Sequence, residues 1–206
     1  MLLVLPATLA HQPRIVFDKV TSIDEPITIE DPEISKAYYG ELRGRPDYYK
    51  IVSNESFNLY INILAPDQEG ARTDFIVEVI KDYEVVYVLN GPGHEWQAFF
   101  EEFARDNYLK GPEFEGEVTA GTYYLKISNE HNKGRYSLAV GNIESFPFKE
   151  IVSTYIVLPR IKKEFFEKPA IDAFVNIFGL FLLIAIVLAA VLVTLFVWIK
   201  KKKKKK

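Results

Sequence analysis

The chain has 206 residues, 25 Lys and Arg against 28 Asp and Glu, no cysteine and three histidines. Seven of the lysines form the extreme C-terminus, so the remainder is strongly acidic, which excludes a nucleic-acid partner for it. The absence of cysteine excludes a disulfide scaffold and thiol chemistry, and leaves stability to a packed core.

The first ten residues, "MLLVLPATLA", are apolar and end in small side chains, as a secretory signal does. Cleavage after Ala10 would make His11 the first residue. An N-terminal histidine can chelate copper through its amine and a ring nitrogen, with His94 or His131 as the other histidine available. Residues 11–143 read as short strands between turns. In "SFNLYINILAP" Phe57, Leu59, Ile61 and Ile63 alternate with polar or amphipathic neighbours. "DFIVEVI" and "EVVYVLN" follow, joined by "KDY". In "GTYYLKISNEHNKGRYSLAVG" Tyr123, Leu125 and Ile127, then Tyr136, Leu138 and Val140, alternate about a polar turn and predict a hairpin with one buried face. The expected fold is mainly β, an antiparallel jelly-roll-like sandwich.

One segment departs from period two. "HEWQAFFEEFARDNY" sets Trp96, Phe99, Phe100 and Phe103 at helical spacing between "GPG" and "KGP", and predicts a short amphipathic helical insert. Just beyond it, Glu113, Glu115 and Glu117 share one face of a strand. They form either a solvated edge or an oxygen-rich calcium site. Tyrosines come in pairs, and a strand turns one ring of each pair outward. Tyr39, Tyr48 and Tyr124 are thus the candidate binding surface for a protein or glycan; the opposing expectation is that loops or a helix cover them.

Residues 144–172 mix aromatics, aliphatics and charges. They are expected either as amphipathic helices on a membrane surface, with Phe165 and Phe166 toward lipid, or as a linker packed on the sandwich. Residues 173–199 carry no charge and form a membrane-spanning helix by length and composition. Asn176 and Gly179 within it are candidates for packing on another helix. Lys200, Lys201, Lys202, Lys203, Lys204, Lys205 and Lys206 follow at once. Such a run stays cytoplasmic beside a span and faces anionic headgroups, which puts the N-terminal part outside. A cysteine-free exported domain points to a bacterial or archaeal surface.

Three stretches carry a family resemblance. "ISKAYYGELRGRPDYYKI", "FNLYINILAP" and "AGTYYLKISN…GRYSLAVG" resemble the bacterial pre-peptidase C-terminal domain. The shared positions are Gly40, Pro46, Asp47 and Tyr49, then Gly121, Thr122, Tyr123, Tyr124, Gly134, Tyr136 and Leu138. The resemblance covers roughly residues 27 to 143. It implies a jelly-roll-like sandwich with binding rather than catalytic duties. No nucleophile elbow, zinc-protease helix, phosphate loop or dinucleotide fingerprint occurs, so a non-catalytic module is expected. The alternatives are a structural subunit of a membrane complex and an exported copper protein.

Overall fold

The computed structural model describes residues 11–203. The signal-like segment 1–10 and Lys204 to Lys206 lie outside the described residues. In chain order the strands are β1 (Gln12–Ile15), β2 (Ile27–Ile29), β3 (Lys36–Arg43), β4 (Asp47–Ser53), β5 (Phe57–Pro66), β6 (Ile76–Lys81), β7 (Glu84–Asn90), β8 (Gln97–Glu101), β9 (Asp106–Val118), β10 (Gly121–Ser128) and β11 (Lys133–Val140). They form a six-stranded sheet, β1-β3-β11-β5-β9-β8, and a five-stranded sheet, β2-β4-β10-β6-β7. The chain crosses between the sheets at most connections, as a jelly roll does. Pairing is antiparallel except where β1 joins β3 and β2 joins β4, one edge of each sheet.

Alternation sets the core. Phe57, Leu59, Ile61 and Ile63 of β5 meet Tyr123, Leu125 and Ile127 of β10 and Tyr136, Leu138 and Val140 of β11 between the sheets. β10 and β11, however, are not a hairpin. They belong to opposite sheets, and the polar turn carries the chain across, with the Asn129 side chain holding both Lys133 N–H and Lys133 C=O. Consecutive strands do pair as hairpins at β8–β9 and at β6–β7, the latter turned by Asp82 and Tyr83, both at positive φ as a tight two-residue turn requires.

The segment expected as a helix at 94–108 is instead β8, a turn and the start of β9. Strand β9 offers an unpaired ladder, and Gln97 to Glu101 fill it in register with Lys110 to Asp106. The Glu101 carboxylate accepts the Phe103 and Ala104 N–H groups at 2.8 and 2.7 Å and fixes the turn. Backbone pairing here outweighs the helical spacing of four aromatics.

The helical part of the sandwich lies later, in α1 (Phe148–Arg160) and a π-helical turn at Ile161–Phe165. Pro159 lacks the N–H that would continue the ladder, and the wider turn follows it at once. A 3-10 turn (Ala170–Phe174) then leads into α2 (Ile177–Lys203). Its stretch Gly179–Lys202 is long and apolar enough to cross a membrane, and nothing in the described chain packs over it.

Candidate functional site

The two outer faces of the sandwich are treated differently. The six-stranded sheet is covered by the segment that leads to α2. Ile161, Phe165 and Phe166 are buried there with Phe17, Ala37, Tyr39, Leu64, Tyr108 and Ala139 in a second core. Phe165 meets Tyr39 edge-on at 5.0 Å and Phe166 meets Tyr108 edge-on at 5.2 Å. These rings therefore face the sheet and not lipid. Their apolar partners stand on the sheet's outer surface, with Phe17 of the loop after β1 packed beside them.

Ion pairs fix this cover. Asp106 Oδ1, at the start of β9, receives Lys162 Nζ at 2.8 Å and Lys168 Nζ at 2.9 Å. Lys162 also donates to the Ala104 carbonyl at 2.5 Å, and Asp106 Oδ2 has no hydrogen-bond partner. Arg14 pairs with Glu150 at 2.9 Å and Arg135 with Glu167 at 2.7 Å.

A cavity of about 110 Å³ remains under the cover, lined by His11, Tyr39, Asn62, Glu101, Tyr108 and Thr154 among others. The Tyr39 and Tyr108 hydroxyls lie 3.0 Å apart, and burial pushes both phenols up. Burial also raises the Glu101 carboxyl, against the opposing pull of the Ala104 and Phe103 N–H groups. Burial pushes the His11 imidazole down to about 4 from 6.5, and its Nδ1 sits 2.5 Å from the Ser35 hydroxyl. The unfolded chain thus binds the His11 proton first as pH falls. Stability tied to His11 is complete above pH 6.5 and is lost as pH drops toward 4. Urea midpoints measured across that window should fall in the native protein and fall less in His11→Leu.

Four residues of the family resemblance, Gly40, Asp47, Tyr49 and Tyr136, form one physical cluster. The Tyr136 hydroxyl donates to Asp47 Oδ2 at 2.7 Å and lies 2.9 Å from the Tyr49 hydroxyl. Asp47 Oδ1 accepts Thr21 Oγ1 at 3.0 Å. Gly40 faces the Tyr136 ring, which leaves no room for a Cβ. These four motif positions thus make a buried structural network.

The tyrosines of the expected binding surface separate. Tyr39 is core, under Phe165, because the cover occupies its side of the sheet. Tyr48 and Tyr124 stay half-buried on the outer face of the five-stranded sheet, where Lys50 lies over Tyr124 at 5.7 Å. Replacing Tyr39 with Ser should cost about 3–5 kcal/mol, and the same change at Tyr124 about 1 or less. Urea unfolding of the two variants checks the contrast.

Glu113, Glu115 and Glu117 do share an exposed face of β9. Protein donors neutralise part of it: Lys110 lies 2.9 Å from Glu113, while Asn58 and Asn142 donate to Glu115 at 3.1 and 2.8 Å. No group of three or more His, Cys, Asp or Glu side chains suited to a metal ion occurs among the described residues. Neither His94 nor His131 lines the cavity that holds His11.

Asn176 acts within its own chain: its Oδ1 accepts the Gly179 N–H at 3.0 Å and its Nδ2 donates to the Ala173 carbonyl at 2.9 Å. It caps α2. Gly179 lets the Phe174 backbone pass, since a Cβ would overlap the Phe174 carbonyl. Both residues shape the entry to α2 within the chain. At the other end, Lys200 and Lys202 fold back over Phe196 and Trp198 at 4.6 and 3.9 Å, so stem and ring stay together at the end of the apolar stretch.

Sequence reading missed the open surface. Strand β7 ends the five-stranded sheet and exposes Val85, Val86, Tyr87 and Val88, with Tyr83 wholly exposed at its turn. Val85 and Val88 point to the outer face with Val52, whereas Val86 and Tyr87 turn toward Phe114 at the open edge between the sheets. The run "EVVYV" is apolar at every other residue and between, which marks a strand exposed or buried on both sides, but not which.

Among solved structures the chain is similar to the pre-peptidase C-terminal domain of a collagenase from Bacillus anthracis, at 13% identity, covering 64% of this chain and 95% of that one with a TM-score of 0.33. This is the kind of domain the sequence resembles. It is also similar to β-glucosidases from Kluyveromyces marxianus, at 10% identity and TM-score 0.25, and Paenibacillus barengoltzii, at 14% and 0.24. It covers 12% and 13% of those two chains, and 56% and 64% of its own length is matched. No family model and no curated protein matches it.

Proposed function

We propose that this protein is a non-catalytic binding module held at the outer surface of a bacterial or archaeal membrane by α2, with its lysine tail in the cytoplasm against anionic headgroups. One observation carries the reading. The face toward the anchor is covered by the anchor's own lead-in, while the opposite face is left open, with Val52, Val85 and Val88 exposed beside Tyr48 and Tyr124. A partner protein fits that face better than a glycan does. Its exposed groups are largely valines, and Lys50 already lies over the Tyr124 ring that a sugar would stack on. The lysine run sets the orientation, since basic residues beside a span are retained inside.

The test has two arms. In intact cells a membrane-impermeant thiol reagent should label a cysteine at Asn132 and spare one at Lys206 until lysis; labelling of the tail from outside would reverse the orientation. A photocrosslinker at Val88 should capture a partner in native membranes, and Tyr124→Ser should remove that capture. Capture only from a position within α2, such as Leu188, would instead support the structural-subunit reading, for which the uncovered surface of α2 is the motive.

A further inference from the structure

Lys162 and Asp106 are each 1% exposed in their side chains, with Nζ 2.8 Å from Oδ1. The Phe166 ring lies 6.0 Å from Lys162 Nζ, and Phe166 belongs to the buried cluster that seals the cover onto the sheet. Lys168 approaches the same oxygen, Oδ1, at 2.9 Å, and Oδ2 stands without a partner. Glu101 is the cross-strand partner of Asp106, and its carboxylate binds the N–H of Ala104, whose carbonyl receives Lys162. The site thus holds a buried amine, a buried carboxyl with one unengaged oxygen, a partly exposed second cation on the other oxygen and a second carboxyl nearby.

We infer that Lys162 and Asp106 condense into an intramolecular isopeptide bond. The first step is proton transfer from Lys162 to Asp106 across their 2.8 Å contact, which gives an amine and a carboxylic acid with no net charge to solvate. Lys162 Nζ then adds to Asp106 Cγ. Negative charge develops on Oδ1, beside the Lys168 ammonium. Glu101 carries one proton from the nitrogen to Oδ2, the Cγ–Oδ2 bond breaks, and Oδ2 leaves as water. Glu101 ends in the protonation state in which it began, and burial, which raises its carboxyl, suits it to hold that proton in transit. Amine and acid become amide and water, with no oxidant or other reactant. Fixed proximity supplies the rate, and exclusion of water from the closed site protects the product. The bond would tie β9 to the segment entering α2 in a chain that has no cysteine for a disulfide.

The experiment is digestion of the full chain, purified from membranes in detergent, followed by tandem mass spectrometry. The expected product is a branched peptide joining the Asp106 and Lys162 fragments, lighter than their sum by one water. It should be absent in Lys162→Arg and Asp106→Ala, and should form more slowly in Glu101→Gln. Separate linear peptides of full mass, each carrying a free Lys162 or Asp106 side chain, from folded native protein would overturn the inference. So would a water loss that persists in Lys162→Arg. The decisive reading is taken on the native sequence, so it stands even where a variant fails to fold.

Discussion

A chain ending at residue 143 is expected to lose its cooperative fold, whereas one ending at Asn176 is expected to keep it. The strands of 11–143 close the core between the sheets, and that core alone suggests autonomy. The outer face of the six-stranded sheet argues otherwise. Truncation removes Ile161, Phe165 and Phe166, which are buried there. At about 1.5–3 kcal/mol for each large apolar side chain, the loss is about 5–9 kcal/mol. A domain of this size has only about 5–15 kcal/mol in all. The cut also bares Tyr39, Leu64 and Tyr108 as one apolar patch, which invites association. Circular dichroism and urea unfolding of the two soluble pieces decide the matter. Equal midpoints would show that the cover adds nothing to the fold.

How far the sequence discloses this arrangement depends on the kind of signal each part carries. Period-two alternation in β5, β10 and β11 is a local property with one physical meaning, and the core between the sheets follows from it. Which sheet a strand joins is not local. The alternation of β10 and β11 is the same whether they pair as a hairpin or face each other across the core. Trp96, Phe99, Phe100 and Phe103 fit a helix by spacing, yet the open ladder of β9 takes the backbone for β8. Phe165 and Phe166 were equally suited to lipid and to protein, since both are apolar solvents for a ring. The choice lies with the partners. Asp106, distant in sequence, draws in Lys162 and Lys168, and the rings between them are carried onto the sheet. Tyr39 is lost to the surface for the same reason. A charged residue amid an aromatic cluster was the available clue: lysine between Ile161 and the paired phenylalanines is costly to bury without a carboxylate.

The family-like motif yields the last expectation, at Gly40. Its backbone is not in the left-handed region, so the requirement is one of space: any Cβ there would overlap the Tyr136 ring. Gly40→Ala should therefore push the ring aside and break its bonds to Asp47 and Tyr49 together. Overpacking of this kind costs about 1–3 kcal/mol, and leaving buried polar groups unpaired adds about 1–3 more. A loss of about 2–6 kcal/mol is expected from urea unfolding. Tyr136→Phe keeps the ring and removes only the hydroxyl, so it should cost no more than the second part. Asp47 would still hold Thr21. Combining Gly40→Ala with Tyr136→Ala relieves the overlap, and the pair should cost clearly less than the sum of the two single changes. Strict additivity, or a Gly40→Ala loss below about 1 kcal/mol, would mean that the motif is not held together by this contact. The glycine and the tyrosine sit 96 residues apart on adjacent strands, paired directly in register. A contact that binds two distant positions by shape gives both residues a structural role.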